Sequence, residues 1–342
     1  MNIFAYRKPD DTHVFCGWSD FSHRGIRQDC FVIAPFNGHG KDVIAIPLTN
    51  ISESQRELDR LLNLFSLIQK EAKHRLYAFP EKSTEPRKHA EMVAHIINEI
   101  KKGDLKKCVA ARAIVSHGLV NIPETFKNLC ESYPSSFVFI FHTPESGTWM
   151  GASPELLISK SGNSVESVAL AATHKSGSPH SWNQKEIAEQ QIVTDLISKV
   201  FESNDISVNC TGPTELKAGP VEHLKTVIKG EASPDLNLPL LVDELAPTPA
   251  LAGYPRDMAI NLIKQKEGFE RAYYGGYCGV LDNEGNASLY VNLRSMLIEA
   301  NRYCLFVGGG IMAQSEAGDE WDETCHKAET LLNKIILLSD NQ

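Results

Sequence analysis

The sequence lacks several patterns that would assign it to a specialised class of protein. Its eight cysteines include no C-x-x-C pair and show no spacing typical of a zinc site. We therefore expect reduced, mostly buried thiols, as is usual in the cytosol. No apolar run approaches the ~20 residues that a membrane helix needs. In the stretch MNIFAYRKPDD, charged residues follow after only a few apolar ones, which leaves no room for the apolar region of a secretory signal. The sequence predicts a cytoplasmic protein that does not act on a membrane.

Basic residues are fewer than acidic residues. The chain has 34 Lys and Arg residues against 43 Asp and Glu residues, which gives a formal net charge of −9. This balance argues against non-specific binding to nucleic acid or to anionic membranes. A small anionic substrate is still compatible with it, but would need local cations or a metal. The 342 residues, 42% hydrophobic and 23% charged, are typical of a globular protein with one large domain or two smaller ones.

Helix and strand signals are mixed along the chain without strict β-α-β order, which favours an α+β fold. The clearest internal boundary is the charged, proline-containing stretch at 79–88. Helices are predicted within 51–75 and over 88–102, 183–202 and 319–338, and 230–256 is predicted to be a loop with short helices. Strands are predicted at His13–Trp18, Cys30–Ala34, Val43–Pro47, Lys107–Val115, Phe137–Phe141, Leu156–Lys160, Leu289–Ile298 and Tyr303–Val307.

The last predicted helix carries charge where apolar residues are expected. Glu320, Glu323 and Lys327 are spaced three and four apart, and Leu331 and Ile335 continue the same row. A solvated first turn, with acidic residues favoured by the helix dipole, is the simpler interpretation. Two carboxylates on this stripe, beside a glycine-rich turn, would also suit a hard cation such as Mg²⁺.

The helix predicted over 183–202 repeats this anomaly. Glu189 shares its row with Val193, Leu196 and Val200, so a carboxylate lies on the apolar face. A lone acid in such a position is more often a rim residue than a ligand. Two helices with the same anomaly could together supply carboxylates to one metal ion.

Two predicted strands carry cations that could serve a site. Arg294 shares a strand face with Tyr290 and Asn292 and could make a bidentate contact to a carboxylate, although an exposed strand arginine fits equally well. Lys107 shares a strand face with small apolar residues such as Ala111. A surface lysine at a strand end is the commoner case, but a desolvated lysine would suit a general base.

Three consecutive glycines, Gly308 to Gly310, follow the last predicted strand. Glycines let backbone N–H groups approach an anion closely, and a simple turn is an equally good explanation. The spacing is not that of a nucleotide-binding loop. Together, the residues favour a metal-assisted enzyme that acts on a small carboxylate.

Four segments in order carry a resemblance to a known family: KCVAARA (107–113), GASPELLIS (151–159), PTPALAGYPRDMA (247–259) and FVGGGIMAQSEAGDEWDETCHKA (306–328). With YYGGYCGVLDNEG and LYVNLRSM between them, they resemble the chorismate-utilising enzymes, which include isochorismate, salicylate, anthranilate and aminodeoxychorismate synthases. The resemblance covers roughly 88–335. It implies an α+β fold of two large packed β-sheets with helices outside, in α/β/β/α layers. Residues 1–80 are expected in the same globule, as a single structural domain.

The resemblance implies a role for each of the unusual residues. Lys107 matches the general base that activates water for attack at C2 of chorismate, and Glu155 matches the general acid for the departing C4 hydroxyl. Glu189 and Glu323 match Mg²⁺ ligands, with Glu320 as a third carboxylate. The implied substrate contacts are Ala172, Thr248, Ala250, Tyr274, Arg294, Gly309, Gly310 and Lys327. Tyr274 and Arg294 would hold the enolpyruvyl carboxylate.

Details within these motifs separate the subfamilies. Ala171 stands where aminodeoxychorismate synthases carry a nucleophilic lysine, and anthranilate synthases lack a lysine at the Lys107 position. Salicylate synthases have a threonine where this chain has Ala250. The chain therefore resembles isochorismate synthases best. The resemblance implies chorismate as substrate, Mg²⁺ as cofactor, no glutaminase partner, and a monomer or weak homodimer.

Two positions depart from the family pattern. Ala246 replaces the histidine of the His-Pro-Thr motif, and Ala172 replaces a glycine that lines the substrate near C4. The expected reaction is conversion of chorismate to isochorismate for menaquinone or siderophore biosynthesis. The alternatives are a salicylate synthase, which also eliminates pyruvate, and a non-catalytic chorismate-binding paralogue.

Overall fold

Two antiparallel β-sheets face each other in the computed structural model, which describes residues 1–70, 77–177, 181–218 and 221–339. Strands are numbered in chain order. The first sheet contains β1 (Asn2–Arg7), β2 (Phe15–Ser19), β6 (Lys107–His117), β7 (Phe137–Thr143), β8 (Gly147–Ser153), β13 (Gly253–Tyr254), β16 (Ser295–Glu299) and β17 (Arg302–Ile311). The second contains β3 (His23–Arg24), β4 (Cys30–Ala34), β5 (Ile44–Pro47), β9 (Leu156–Ser161), β10 (Ser164–Lys175), β11 (Asn209–Ala218), β12 (Val221–Glu231), β14 (Tyr277–Leu281) and β15 (Ala287–Val291).

The spatial order of the strands brings distant parts of the chain together. The first sheet runs β13-β6-β17-β16-β8-β7-β1-β2, and the second runs β11-β12-β10-β9-β15-β14-β4-β5-β3. The helices are α1 (Gln55–Gln69), α2 (Pro86–Lys101), α3 (Ile122–Ser132), α4 (Gln184–Ser203), α5 (Leu238–Leu245), α6 (Arg256–Lys266) and α7 (Ala317–Leu332). The N-terminal strands take part in both sheets.

The main core lies between the sheets, where alternating strand residues meet. On β7, Phe137 belongs to this inter-sheet core, whereas its neighbour Val138 belongs to a second core beneath the helices. The Phe137 ring stacks on Tyr290 of the other sheet with centroids 4.3 Å apart, and Phe4 stacks on Phe31 at 4.6 Å. Burying each such ring stabilises the fold by roughly 1.5–3 kcal/mol.

Helices cover the outer surfaces of the two sheets. α1 and α3 pack on the first sheet, while α2 and α6 pack against its strand β6. α4 packs on β10 and β12 of the second sheet through Val193, Ile197 and Phe201. The predicted α+β class with two packed sheets and outer helices is confirmed.

Several predicted elements are wrong in detail. The single strand expected over Leu289–Ile298 is two strands in different sheets, with a break at 292–294 where Arg294 has φ +48°. The three glycines expected in a turn lie inside β17, paired with β6. α7 ends at Leu332, so Ile335 lies beyond it. The sequence predicts no element at α3, α6, β8 or β10–β12, whereas α5 falls within the loop with short helices expected over 230–256. Of the helix predicted within 51–75, residues 71–76 lie outside the described ranges.

The chain crosses between the sheets twice at neighbouring places. It passes from β8 to β9 at Pro154–Glu155, and from β15 to β16 at 292–294. The two crossings are joined, because the Val291 N–H donates to the Glu155 carbonyl oxygen at 3.0 Å. Glu155 and Arg294 therefore lie where the two sheets meet, beside the start of β6.

Five of the eight cysteines are buried, and Cys210 is exposed. Within the described ranges, no helix is long and apolar enough to cross a membrane.

Candidate active site

A cavity opens at the junction of β6, β10 and β17, next to the two crossings between the sheets. Nine of the predicted site residues line it: Lys107, Glu155, Ala172, Glu189, Ala250, Tyr274, Arg294, Gly310 and Lys327. Its walls also include apolar side chains such as Leu170 and Phe306. The other four predicted residues adjoin this set through contacts described below. Strands β6, β10 and β17, helices α4 and α7 and the segments between the sheets thus supply one mixed polar and apolar cavity.

Lys107 is fully buried at the first position of β6. Its Nζ lies 2.9 Å from Oε1 of Glu189, which is itself almost completely buried on α4. The absent side chain of Gly310 makes room for this pair, because a Cβ there would lie 2.0 Å from Glu189 Oε1 and 2.9 Å from Lys107 Cε. The alternatives of a surface lysine and of a rim carboxylate are therefore wrong.

Glu155 is a buried acid on the other side of the cavity. The Thr248 hydroxyl donates to its Oε1 at 3.1 Å. Burial raises the pKa of Glu155 to about 7, and the Thr248 hydrogen bond and the charges of Lys107 and Lys327 offset part of that effect. Near neutral pH this carboxyl group can therefore either hold or release a proton.

The carboxylates of α7 lie over the backbone of β17. Lys185 of α4 donates to Glu320 at 2.7 Å, and Lys327 lies 2.7 Å from Glu323 while also donating to the Gly308 carbonyl at 2.9 Å. A Cβ at Gly309 would lie 3.0 Å from Glu320 Oε2 and 3.4 Å from Glu323 Oε1. Glycine at this position therefore lets both carboxylates approach the strand.

The three predicted metal ligands differ from a closed metal site. Each of Glu189, Glu320 and Glu323 is paired with a lysine. In the described part of the chain, no three His, Cys, Asp or Glu side chains gather closely enough to hold an ion. Glu320 Oε2 is nevertheless buried and lacks a hydrogen-bond partner among those residues. Burial, followed by the charge of Glu323, raises the pKa of Glu320 to about 7. This donor set fits an open Mg²⁺ site completed by water and substrate oxygens.

Arg294 and Tyr274 form the cationic and aromatic part of the cavity. Arg294 is buried, and burial lowers its pKa to about 10, which leaves it charged at neutral pH. The Tyr274 ring stacks on Phe306 with centroids 5.6 Å apart, and burial raises the pKa of its hydroxyl. A buried cation and a phenol that line one cavity suit a carboxylate ligand.

Sequence reasoning missed two residues at this site. Lys185 pairs with Glu320, and His223 of β12 lines the cavity beside Arg294. His223 lies two residues after the buried Val221, so both side chains share one face of β12. This spacing is a usable signal for a polar group on an inward face. Lys185 offered none, because a lysine in the first turn of a helix usually points to solvent.

Comparison with known proteins identifies the family. The profile of the family described as chorismate binding enzyme matches residues 15–336. The chain belongs to this family. It is 28% identical over 330 residues to the isochorismate synthase EntC of Escherichia coli K12, covering 92% of this chain and 83% of that protein. It is 32% identical over 251 residues to the isochorismate synthase MenF of Bacillus subtilis, covering 70% of this chain and 53% of that protein.

The fold is also found among solved structures. The structure of MenF, the menaquinone-specific isochorismate synthase from Escherichia coli, superposes with a TM-score of 0.77 at 20% identity, covering 98% of this chain and 88% of that one. The two-sheet architecture of this chorismate binding enzyme is therefore shared along almost the whole chain.

Proposed function

We propose that this chain is an Mg²⁺-dependent isochorismate synthase that interconverts chorismate and isochorismate. The observation that carries the proposal is the pair of Lys107 and Glu155, a buried amine and a buried acid that line one cavity. The names of the two curated relatives support the same activity. Menaquinone or siderophore biosynthesis would be the use of the product.

The reaction exchanges one hydroxyl group for another. Lys107, as the general base, takes a proton from water as the water oxygen bonds to C2. The ring double bonds shift, the C4–O bond breaks, and Glu155 protonates the hydroxyl that leaves as water. Lys107 ends protonated and Glu155 ionised, so solvent exchange or the reverse reaction must restore them. The near-neutral pKa of Glu155 suits this exchange of roles.

The expected substrate is a dianion, and with Mg²⁺ bound this site would supply a cation for each carboxylate. Glu189, Glu320 and Glu323 would hold Mg²⁺, which when bound would neutralise charge and bind the ring carboxylate. Arg294 and Tyr274 would hold the enolpyruvyl carboxylate. The backbone of Gly309 and Gly310, with Ala172, Thr248, Ala250 and Lys327, would complete the substrate contacts.

The two departures from the family pattern leave the acid and base intact. Ala246 is buried in the main hydrophobic core, directly after α5, and its carbonyl accepts from Arg256 Nη1 at 3.0 Å. Ala172 lines the cavity with φ +54°, a conformation that glycine adopts more easily. We expect slower turnover from Ala172 rather than a different reaction.

Incubation of the purified protein with chorismate tests the proposal. With Mg²⁺, chromatography should show isochorismate, and removal of the metal with EDTA should abolish its formation until Mg²⁺ is restored. Salicylate with pyruvate would instead identify a salicylate synthase. Unchanged chorismate with metal-replete, folded protein, together with calorimetric binding, would identify the non-catalytic paralogue.

A further inference from the structure

His223 bridges the backbone of β10 and the side chain of Arg294. Its Nε2 lies 2.5 Å from Arg294 Nη2, and its Nδ1 lies 3.0 Å from both the Ala172 carbonyl and the Thr173 hydroxyl. The imidazole is buried and lines the same cavity as Arg294. It therefore has a defined partner at each ring nitrogen.

These contacts select one form of the imidazole. A guanidinium nitrogen only donates, so Nε2 of His223 must accept with its lone pair. The remaining ring proton is then on Nδ1, where it donates to the Ala172 carbonyl. A protonated ring would set N–H against N–H and two positive charges side by side. Consistent with this, burial and then the charges of Arg294 and Lys327 hold the pKa of His223 well below its usual range.

The Ala172 carbonyl is available because β10 is irregular at this point. Ala171 pairs with Leu224 and Thr173 pairs with His223, so Ala172 is an extra residue in a β-bulge, with φ +54°. Such a bulge turns a carbonyl away from its usual partner in the ladder. It is anchored from behind, because Gln190 accepts from the Ala171 N–H at 2.9 Å.

We infer that His223, as the neutral Nδ1–H tautomer, is a positioning residue that orients the Arg294 guanidinium for a carboxylate of the substrate. The inference rests on the proposed function for the identity of that carboxylate. Arg294 has a left-handed backbone and enters the cavity from a crossing between the sheets, so its side chain needs support from a neighbouring element. His223 supports the guanidinium from β12. Because its Nδ1 is bonded to the Ala172 carbonyl, the position of the bulge sets the position of the imidazole and so of Arg294.

Kinetics of two variants with chorismate and Mg²⁺ test this role. His223→Leu removes the acceptor and should raise KM about tenfold or more, with a smaller change in kcat. His223→Gln keeps a side-chain oxygen that can accept from Arg294, and its KM should stay within about threefold of the wild-type value. A folded Gln variant as impaired as the Leu variant would overturn the inference, as would a fall in kcat at unchanged KM.

A double-mutant cycle shows whether His223 acts through Arg294. In an Arg294→Met background, His223→Leu should leave KM unchanged, because the group that it positions is gone. An equal rise in KM in both backgrounds would contradict the inference. A purely structural role of His223 would lower the free energy of unfolding equally in both backgrounds and would not make the change in KM depend on Arg294. The cycle therefore separates a positioning role from a structural one.

A readout without substrate separates failure of this inference from failure of the proposed function. Long-range ¹H–¹⁵N spectra of histidine-labelled protein, assigned with His223→Gln, should show a neutral ring protonated on Nδ1. Protonation on Nε2 would overturn the positioning role even if chorismate turns over. The expected tautomer in a protein that does not convert chorismate would contradict the proposed function and leave the His223–Arg294 contact supported.

Discussion

Replacing the buried acid Glu155 with glutamine should make stability depend less on pH. Burial holds the pKa of Glu155 at about 7, against 4.5 for an ordinary glutamate. The unfolded chain therefore releases this proton first, and the contribution of Glu155 to stability is lost as pH rises from about 4.5 to about 7. At ~1.4 kcal/mol per decade, an ionised Glu155 costs about 3 kcal/mol at pH 8. Glutamine does not titrate and can still accept from Thr248.

Urea unfolding at pH 5 and pH 8 measures this effect. The free energy of unfolding of Glu155→Gln, relative to wild type, should be about 2–3 kcal/mol higher at pH 8 than at pH 5. The exposed Glu231 of β12 offers a matched control, because its glutamine variant should change stability by under about 0.5 kcal/mol at both pH values. Equal relative stability of Glu155→Gln at both pH values would refute the reasoning on burial. The variant should also lose turnover.

Three further substitutions test the geometry of the site. Lys107→Ala should still bind chorismate in calorimetry but lose turnover, and undiminished turnover would remove the proposed base. Ala172→Gly should raise the free energy of unfolding by about 1 kcal/mol by relieving the left-handed backbone, and a loss of stability in urea would contradict this. Gly310→Ala should abolish activity and lower stability, because its Cβ would lie 2.0 Å from Glu189 Oε1 and would displace the buried Lys107–Glu189 pair. Its control is Gly318→Ala on α7, where no atom lies within 4 Å and both properties should be kept.

Local periodicity draws attention to the carboxylates of the candidate site, although from the residues alone a solvated first turn is the simpler interpretation. The spacing of Glu320, Glu323 and Lys327 follows from helix geometry alone, and α7 places them over β17 as that spacing suggests. Strand parity indicates Lys107 in the same way, although a surface lysine at a strand end is the commoner case, and only the family resemblance implies its role as a base. The family motifs then supplied Glu155, whose environment depends on Thr248, 93 residues away.

Long-range pairing explains what the sequence could not predict. The alternation of apolar and polar residues predicts a single strand through Arg294, although the chain leaves one sheet there and enters the other. His223 becomes part of the site only because β12 brings it to Arg294, 71 residues away, and to Thr173, 50 residues away. A window of neighbouring residues contains no information on such contacts. The bulge at Ala172 depends on the register between β10 and β12, so it cannot be predicted from neighbouring residues either.

One isotope measurement tests the central claim most directly. Chorismate is incubated with the protein and Mg²⁺ in H₂¹⁸O, and the product is examined by mass spectrometry at early times. Water attack at C2, assisted by Lys107 and Glu155, predicts isochorismate that carries one ¹⁸O atom at C2. Unlabelled isochorismate, or chorismate that remains unchanged with folded, metal-replete protein, would contradict the account.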